Sequence, residues 1–293
     1  MNLTPDSNVL IQGLSEFISA THVAQMKGYG TNLVAVVHPG WVGQQMYDLP
    51  VFDLVEEVVT KFDRVETTLI SVHPDQVLDA ALEAIAANIR QMIIISAGVP
   101  PLDMVRLFRE AENREVLIVG PNSSGIIIPG KMLLGTQPQE FYTPGNVGIV
   151  SRSSTLTYEV AWELTKAGLG QSISVGIGSD AVAGSSFIQW LQILDEDEGT
   201  AAIVLVGQPG GESEEAAAQY IAEAIDKPVV AYITGKYASA SKSVDGMGNF
   251  STIVGRAANF GTAQRKLAAF HAAGVPVAER PSQIPELLKK IIH

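Results

Sequence analysis

The sequence predicts an α/β protein built as two doubly wound, mostly parallel sheets, and three observations lead there. Short β-branched runs alternate with amphipathic segments from end to end. Those runs are nearly continuous in apolar character, as strands covered on both faces must be. A Gly- and Pro-rich stretch at 121–145 divides the 293-residue chain into two such series.

In the first series, Asn8–Gln12, Leu33–Val37, Thr67–Val72, Met92–Ile95 and Val116–Val119 read as buried strands. Asp75–Ala87 and Leu102–Glu112 carry apolar residues at helical spacing. This half, residues 1–125, is expected to be a Rossmann-type sheet, with residues 126–145 as a connector. The second series occupies 146–293 and has the order of a flavodoxin-like sheet. Its strands are Val147–Val150, Ser172–Ile177, Ala202–Val206, Val229–Ile233 and Val275–Ala278. Helices are expected at Thr155–Ala167, Ser213–Ala224 and Gly261–Ala273. Trp162 and Trp190 fall at apolar helix positions and read as core.

Composition narrows the function. Net charge is −12, and no basic stripe offers itself to nucleic acid or an anionic membrane. The absence of cysteine excludes disulfides, thiolate metal sites and a cysteine nucleophile, and no metal site is expected. The N-terminus lacks the basic start and apolar run of a signal peptide, and no apolar run reaches ~20 residues, so a soluble cytoplasmic protein is expected.

Ligands of open α/β sheets bind beyond the carboxyl ends of the strands, so three loops matter most. The first runs from Gly13 to His22 and includes Ser15 and Ser19. Gly13 is its sole glycine, Glu16 is negative where a phosphate would lie, and Phe17 adds bulk. His22 reads as a residue that caps or packs near the first helix. The second loop, Ser151, Arg152, Ser153, Ser154 and Thr155, leads into a helix whose N-terminus suits an anion. The third carries Gly207, Gly210 and Gly211, with Ser213 at a helix N-cap, and forms a plausible anion nest.

These segments carry a resemblance. GIVSRSSTLTYEV, PGKMLLGTQP, SVGIGSDAVAGSSFIQWL, PVVAYITG and GTAQRKLAAFHAAGVPVAERPSQIPELL are similar to the α subunit of succinyl-CoA synthetase. That group includes related acid–CoA ligases and the matching part of ATP-citrate lyase. The resemblance implies coenzyme A binding by the first domain and a β-type partner subunit that grasps nucleotide. It also implies a histidine in the second domain that carries phosphate transiently.

Here the sequence departs from that group. The five histidines are His22, His38, His73, His271 and His293, so none lies between His73 and His271. Asn249, or failing that Met247, stands at the phosphohistidine position, and an amide nitrogen is not a nucleophile. Gln208 replaces the glutamate that would orient the imidazole. The coenzyme A positions differ as well: Trp41 replaces a lysine in the His38-Pro39-Gly40-Trp41 loop, Ala97 a glutamate, and Ser123 a cysteine. Glu16 and Ser19 replace two cradle glycines, and Ser154 another glycine.

Framework residues are kept while ligand-facing ones have changed. The leading expectation is therefore a non-catalytic or catalytically altered α-type subunit, acting through a β-type partner or by self-association. Bound coenzyme A is a doubtful prospect on this expectation. One alternative is an active acid–CoA ligase subunit with an atypical phosphate relay, Asp245 being a possible acceptor. Another is a stand-alone module that binds small anions.

Overall fold

The computed structural model describes residues 7–14, 18–180, 182–236 and 261–292. The chain forms two compact units, Met1–Gln139 with Val182–Ser185, and Glu140–Ala181 with Ser186–His293.

The first unit opens with β1 (Asn8–Gln12), α1 (Ala20–Gly28) and β2 (Asn32–Val37), followed by β3 (Gln45–Met46), β4 (Leu49–Phe52) and α2 (Val55–Lys61). It continues through β5 (Val65–Ile70), α3 (Val77–Ala86), β6 (Gln91–Ile94), α4 (Pro101–Asn113) and β7 (Leu117–Val119). The sheet order is β3-β4-β2-β1-β5-β6-β7, parallel except for the β3–β4 pair. The chain winds outward from β1 through β2 and β4, then α2 returns it to β5 on the other side of β1. The winding reverses between β1 and β5, and that is where a doubly wound sheet leaves a crevice for ligand. Leu10, Ile70, Met92 and Ile94 fill the core beneath it, packed against Val77, Ala81 and Leu107.

The stretch expected to be a plain connector, 126–145, contains a hairpin, β8 (Gly125–Ile128) and β9 (Met132–Gly135). Its two apolar runs, Ile126–Ile128 and Met132–Leu134, flank the turn signal Pro129-Gly130-Lys131, a pattern that dense Gly and Pro disguise as loop. Thr31 ties the hairpin to the first sheet: its hydroxyl donates to the Leu133 carbonyl at 2.5 Å and accepts from the Leu133 N–H at 3.0 Å.

The second unit comprises β10 (Pro144–Ser151), α5 (Ser154–Lys166), β11 (Gln171–Gly176), α6 (Phe187–Glu196), β12 (Ala202–Gly207) and α7 (Ser213–Ala224). β13 (Val229–Ile233), α8 (Ala263–Ala272), β14 (Val277–Ala278) and α9 (Ile284–Ile291) complete its described elements. Its strands run β14-β13-β12-β10-β11, all pairs parallel, the flavodoxin-like order with its reversal between β10 and β12. Trp190 is fully buried under this sheet, as the helical period predicts. Trp162 is 41% exposed instead. The buried stripe of α5 runs through Thr157, Val160, Ala161 and Leu164, which leaves residue 162 to one side. There its indole meets the Phe141 ring at 5.9 Å and lies under the Lys166 ammonium.

Candidate functional site

The two loops that flank the reversal of the second sheet are held by a group of buried charges. Arg152 leaves the end of β10, its backbone N–H donating to the Val206 carbonyl at 3.1 Å. Its guanidinium turns inward and donates to the Gly210 carbonyl at 2.8 Å and to Glu214 Oε1 at 3.1 Å. From α8, Lys266 donates to the Gly211 carbonyl at 2.8 Å, to Glu214 Oε2 at 2.6 Å and to Glu215 Oε2 at 2.8 Å. The Gln208 N–H and the Ser213 hydroxyl also donate to the Glu214 carboxylate, at 3.1 and 3.0 Å. Glu214 and Lys266 are wholly buried and Arg152 is 8% exposed. Two cations face two carboxylates, so the group is close to neutral, as burial of charge requires.

The group grips the carbonyls of Gly210 and Gly211 and so fixes the path of the Gly207–Gly211 loop. Gly207 must lack a side chain: a Cβ there would lie 2.6 Å from Ile233 Cδ1 and 2.7 Å from Glu214 Cγ. The loop leads into α7, whose N-cap is Glu212 rather than the expected Ser213; Ser213 opens the helix and its hydroxyl serves Glu214. Arg152, expected as an anion ligand, is instead committed to Glu214 and Gly210. Gln208 is half-buried beside this group, whereas Asn249, Met247 and Asp245 lie outside the described residues.

What remains open to an anion is the start of α5. Ser153 is its N-cap, but its side chain makes no capping bond. The Ser151 hydroxyl closes a local turn, donating to the Ser153 carbonyl and accepting the Ser153 N–H at 3.0 Å. Ser154 and Thr155 are exposed. The first N–H groups of a helix have no intrahelical acceptor, and the helix dipole adds partial positive charge there. Ser154 and Thr155 carry hydroxyls in this first turn, a combination that suits an anion.

Beyond the end of β13 a cavity of about 350 Å³ is lined by Tyr232, Thr234, Lys236, His271 and Glu279, among others. Burial pushes the Tyr232 phenol above its ordinary value of 10.0; the Glu159 charge adds to the rise and a hydrogen bond with Thr234 opposes it. Among the described residues, no group of three or more His, Cys, Asp or Glu side chains is placed to hold a metal ion. No described helix is long and apolar enough to cross a membrane.

In the first unit the described residues among the expected coenzyme A positions follow strand ends or stand at the start of α1. Gly13 follows β1 with φ 74°, and a Cβ there would lie 2.4 Å from Val72 Cγ1. Its N–H donates to the Val37 carbonyl at 2.9 Å. Ser15, Glu16 and Phe17 lie outside the described residues. His38, Pro39 and Trp41 follow β2, Ala97 follows β6, and Ser123 follows β7. Ser123 is buried and accepts the Gly125 N–H at 2.8 Å, a structural task.

Ser19 caps α1 through its neighbour: the Ser19 N–H donates to His22 Nδ1 at 3.2 Å. That bond needs a lone pair on Nδ1, hence a neutral ring. Burial holds the His22 pKa below its ordinary 6.5. The unfolded chain therefore binds the proton first as pH falls, and stability rises with pH across that window. The contribution is complete above pH 6.5 and is lost progressively below it, down through the lowered folded value. Amide exchange at the start of α1 should accelerate over that range, and His22→Gln, which can still accept the bond, should remove the pH dependence. An unchanged pH profile in the variant would assign the effect elsewhere.

The cluster of Arg152, Glu214 and Lys266 is the main feature that the loop reading missed. A signal was available in the spacing of α8: Ala263, Lys266 and Phe270 share its buried face. A lysine in an apolar register must find a buried carboxylate.

Comparison with known proteins places these features. The family model described as CoA binding domain matches residues 4–98, and that described as CoA-ligase matches residues 150–275. The chain is 40% identical to succinate–CoA ligase [ADP-forming] subunit alpha 2 of Archaeoglobus fulgidus, over 98% of this chain and 97% of that protein. It is 41% identical to the corresponding alpha subunit of Methanothermobacter thermautotrophicus, over 98% of this chain and 95% of that one. Among solved structures, the ATP citrate lyase D541A mutant of Methanosaeta concilii, in complex with (3S)-citryl-CoA, superposes with TM-score 0.87 at 22% identity. This chain is covered completely and spans 50% of that longer one. The dinucleotide-forming acetyl-coenzyme A synthetase 1 of Ca. Korarchaeum cryptofilum follows with TM-score 0.75 at 19% identity, over 98% of this chain and 61% of that one. At those identities the two structures speak for the fold. A CoA-binding unit followed by a CoA-ligase unit, with alpha-subunit relatives matching along nearly the whole length, makes this chain a member of the succinate–CoA ligase alpha-subunit family.

Proposed function

We propose that the chain is a working α-type subunit of an acid–CoA ligase, completed by a β-type partner that supplies the nucleotide. This prefers the alternative to the non-catalytic reading that the missing histidine and the other changed ligand-facing residues suggest. One observation carries it: four charged side chains, two of them wholly buried, are spent on fixing the Gly207–Gly211 loop beside the anion seat of α5. Replacing such a group with packed apolar residues is often neutral or stabilising, so a scaffold freed of chemistry would have no need to keep it. The near-full-length likeness to subunits named as ligases supports the same reading.

In this reading the first unit holds coenzyme A and the α5 N-terminus holds the anion that changes hands. The substrate carboxylate attacks the terminal phosphoryl group of the nucleotide, releasing the diphosphate and giving an acyl phosphate. The thiolate of coenzyme A then attacks the acyl carbon, forming the thioester and releasing inorganic phosphate. No imidazole relay is required at Asn249. The second reading, a non-catalytic subunit, is favoured by the substitutions at Asn249 and Gln208.

The test is co-purification with a β-type subunit and an assay of thioester formation from short mono- and dicarboxylic acids, coenzyme A and nucleoside triphosphate. Thioester production without histidine phosphorylation supports the ligase reading. A stable complex that forms no thioester with any acid would establish the non-catalytic one.

A further inference from the structure

The carboxyl rim of the first unit has an unusual charge pattern. The segments after its parallel strands read GLSEFIS, HPGWVGQ, DL, SVH, ISAGVP and GPNSS, and none contains lysine or arginine. The cations of this unit stand elsewhere. Lys27 and Lys61 close α1 and α2, and Arg64, Arg90 and Arg114 precede β5, β6 and β7, all at the opposite ends of the strands. Arg106 and Arg109 lie within α4, and Lys131 sits in the β8–β9 turn. The rim does hold an acid, Asp53, whose carboxylate accepts the Gly40 N–H at 2.9 Å.

In doubly wound folds the adenosine end of a dinucleotide is read roughly 20 residues beyond the first glycine turn, by an acid for a free ribose hydroxyl or a cation for a ribose phosphate. Counted from Gly13, that region is the end of β2. It presents His38 and Trp41, whose rings meet at 5.6 Å and 59°. The Trp41 N–H donates to the His38 carbonyl at 3.2 Å, and Gly43 and Gln44 tie the loop to Val51 of β4. The indole is therefore held on a braced turn while 44% exposed. A phosphomonoester brings about −1.5 to −2 charge at neutral pH, and this rim has no fixed cation to meet it.

Resting on the reading that this unit takes coenzyme A, we infer that it recognises the adenosine end by stacking on the His38–Trp41 pair and does not read the ribose 3′-phosphate. Its ligand class is the pantetheine–adenosine diphosphate thiol, with or without that phosphate. Stacking of a base on an aromatic side chain is worth about 1–3 kcal/mol, enough to anchor the adenine.

Calorimetry of the full chain with coenzyme A and with dephospho-coenzyme A tests this. The two Kd values should agree within about threefold and change less than about threefold between roughly 50 and 500 mM salt, because few counterions are released. Trp41→Ala should weaken both ligands by about tenfold or more. Trp41→Lys should create a preference for coenzyme A over its dephospho form. Coenzyme A binding more than about tenfold tighter than dephospho-coenzyme A, or steep salt dependence, would overturn the inference while leaving coenzyme A as the ligand. Equal binding that Trp41→Ala leaves intact would overturn the stacking. Binding of neither would remove the coenzyme A reading itself.

Discussion

Lys266→Met should destabilise the second unit by about 3–5 kcal/mol, the usual cost of leaving a buried charge without its partner. The side chain is wholly buried and makes three charge-assisted or carbonyl bonds, so its loss leaves the buried Glu214 with one cation fewer and takes the ion pair from the partly buried Glu215. The neighbouring residue supplies the control. Arg265 pairs with Glu212 at 3.3 Å, but both side chains are about half exposed. Arg265→Met should cost no more than about 1 kcal/mol. Urea denaturation followed by circular dichroism measures both. Similar midpoints for the two variants would show that the buried group contributes little to the stability of the second unit.

Ser154→Asp should lower thioester formation by about two orders of magnitude while leaving the fold intact. Residue 154 is the first of α5 and is exposed, so a carboxylate there complements the helix dipole and should stabilise by about 0.3–1 kcal/mol. The same carboxylate occupies the proposed anion seat, where like-charge juxtaposition costs several kcal/mol. Stability and activity should therefore move in opposite directions, which a merely structural role for this turn cannot produce. Steady-state assay of the complex beside a thermal melt reads both. Full activity in Ser154→Asp would place the transferred anion elsewhere.

Much of the fold was legible because both sheets are mostly parallel, with near-continuous apolar strands. Runs such as Asn8–Gln12 and Ala202–Val206 leave no amphipathic alternation to misread, and the winding order follows from the alternation of strand and helix. Elements at the edges were harder to see. The two-residue β3 and the β8–β9 hairpin are too short or too rich in turn residues to stand out. The ligand loops were legible from the rule that places them at strand ends. Their internal bonding was not: Arg152 carries the chemistry of an anion ligand in sequence, and only the approach of Glu214, 62 residues later, shows that it is already occupied. The missing histidine is plain in the sequence, whereas the buried charges that hold the neighbouring loop are visible only in three dimensions.

The same cluster sets a timetable for synthesis. Glu214 is separated from Arg152 by 62 residues and from Lys266 by 52. A ribosome adding about 5–20 residues per second takes several seconds to deliver α8 after α7 has emerged. Through that interval β10, β12 and their helices can pair, but the Glu214 carboxylate has received only one of its two cations and resists burial. On this reasoning the second unit seals its interior only once α8 has followed α7 out of the ribosome.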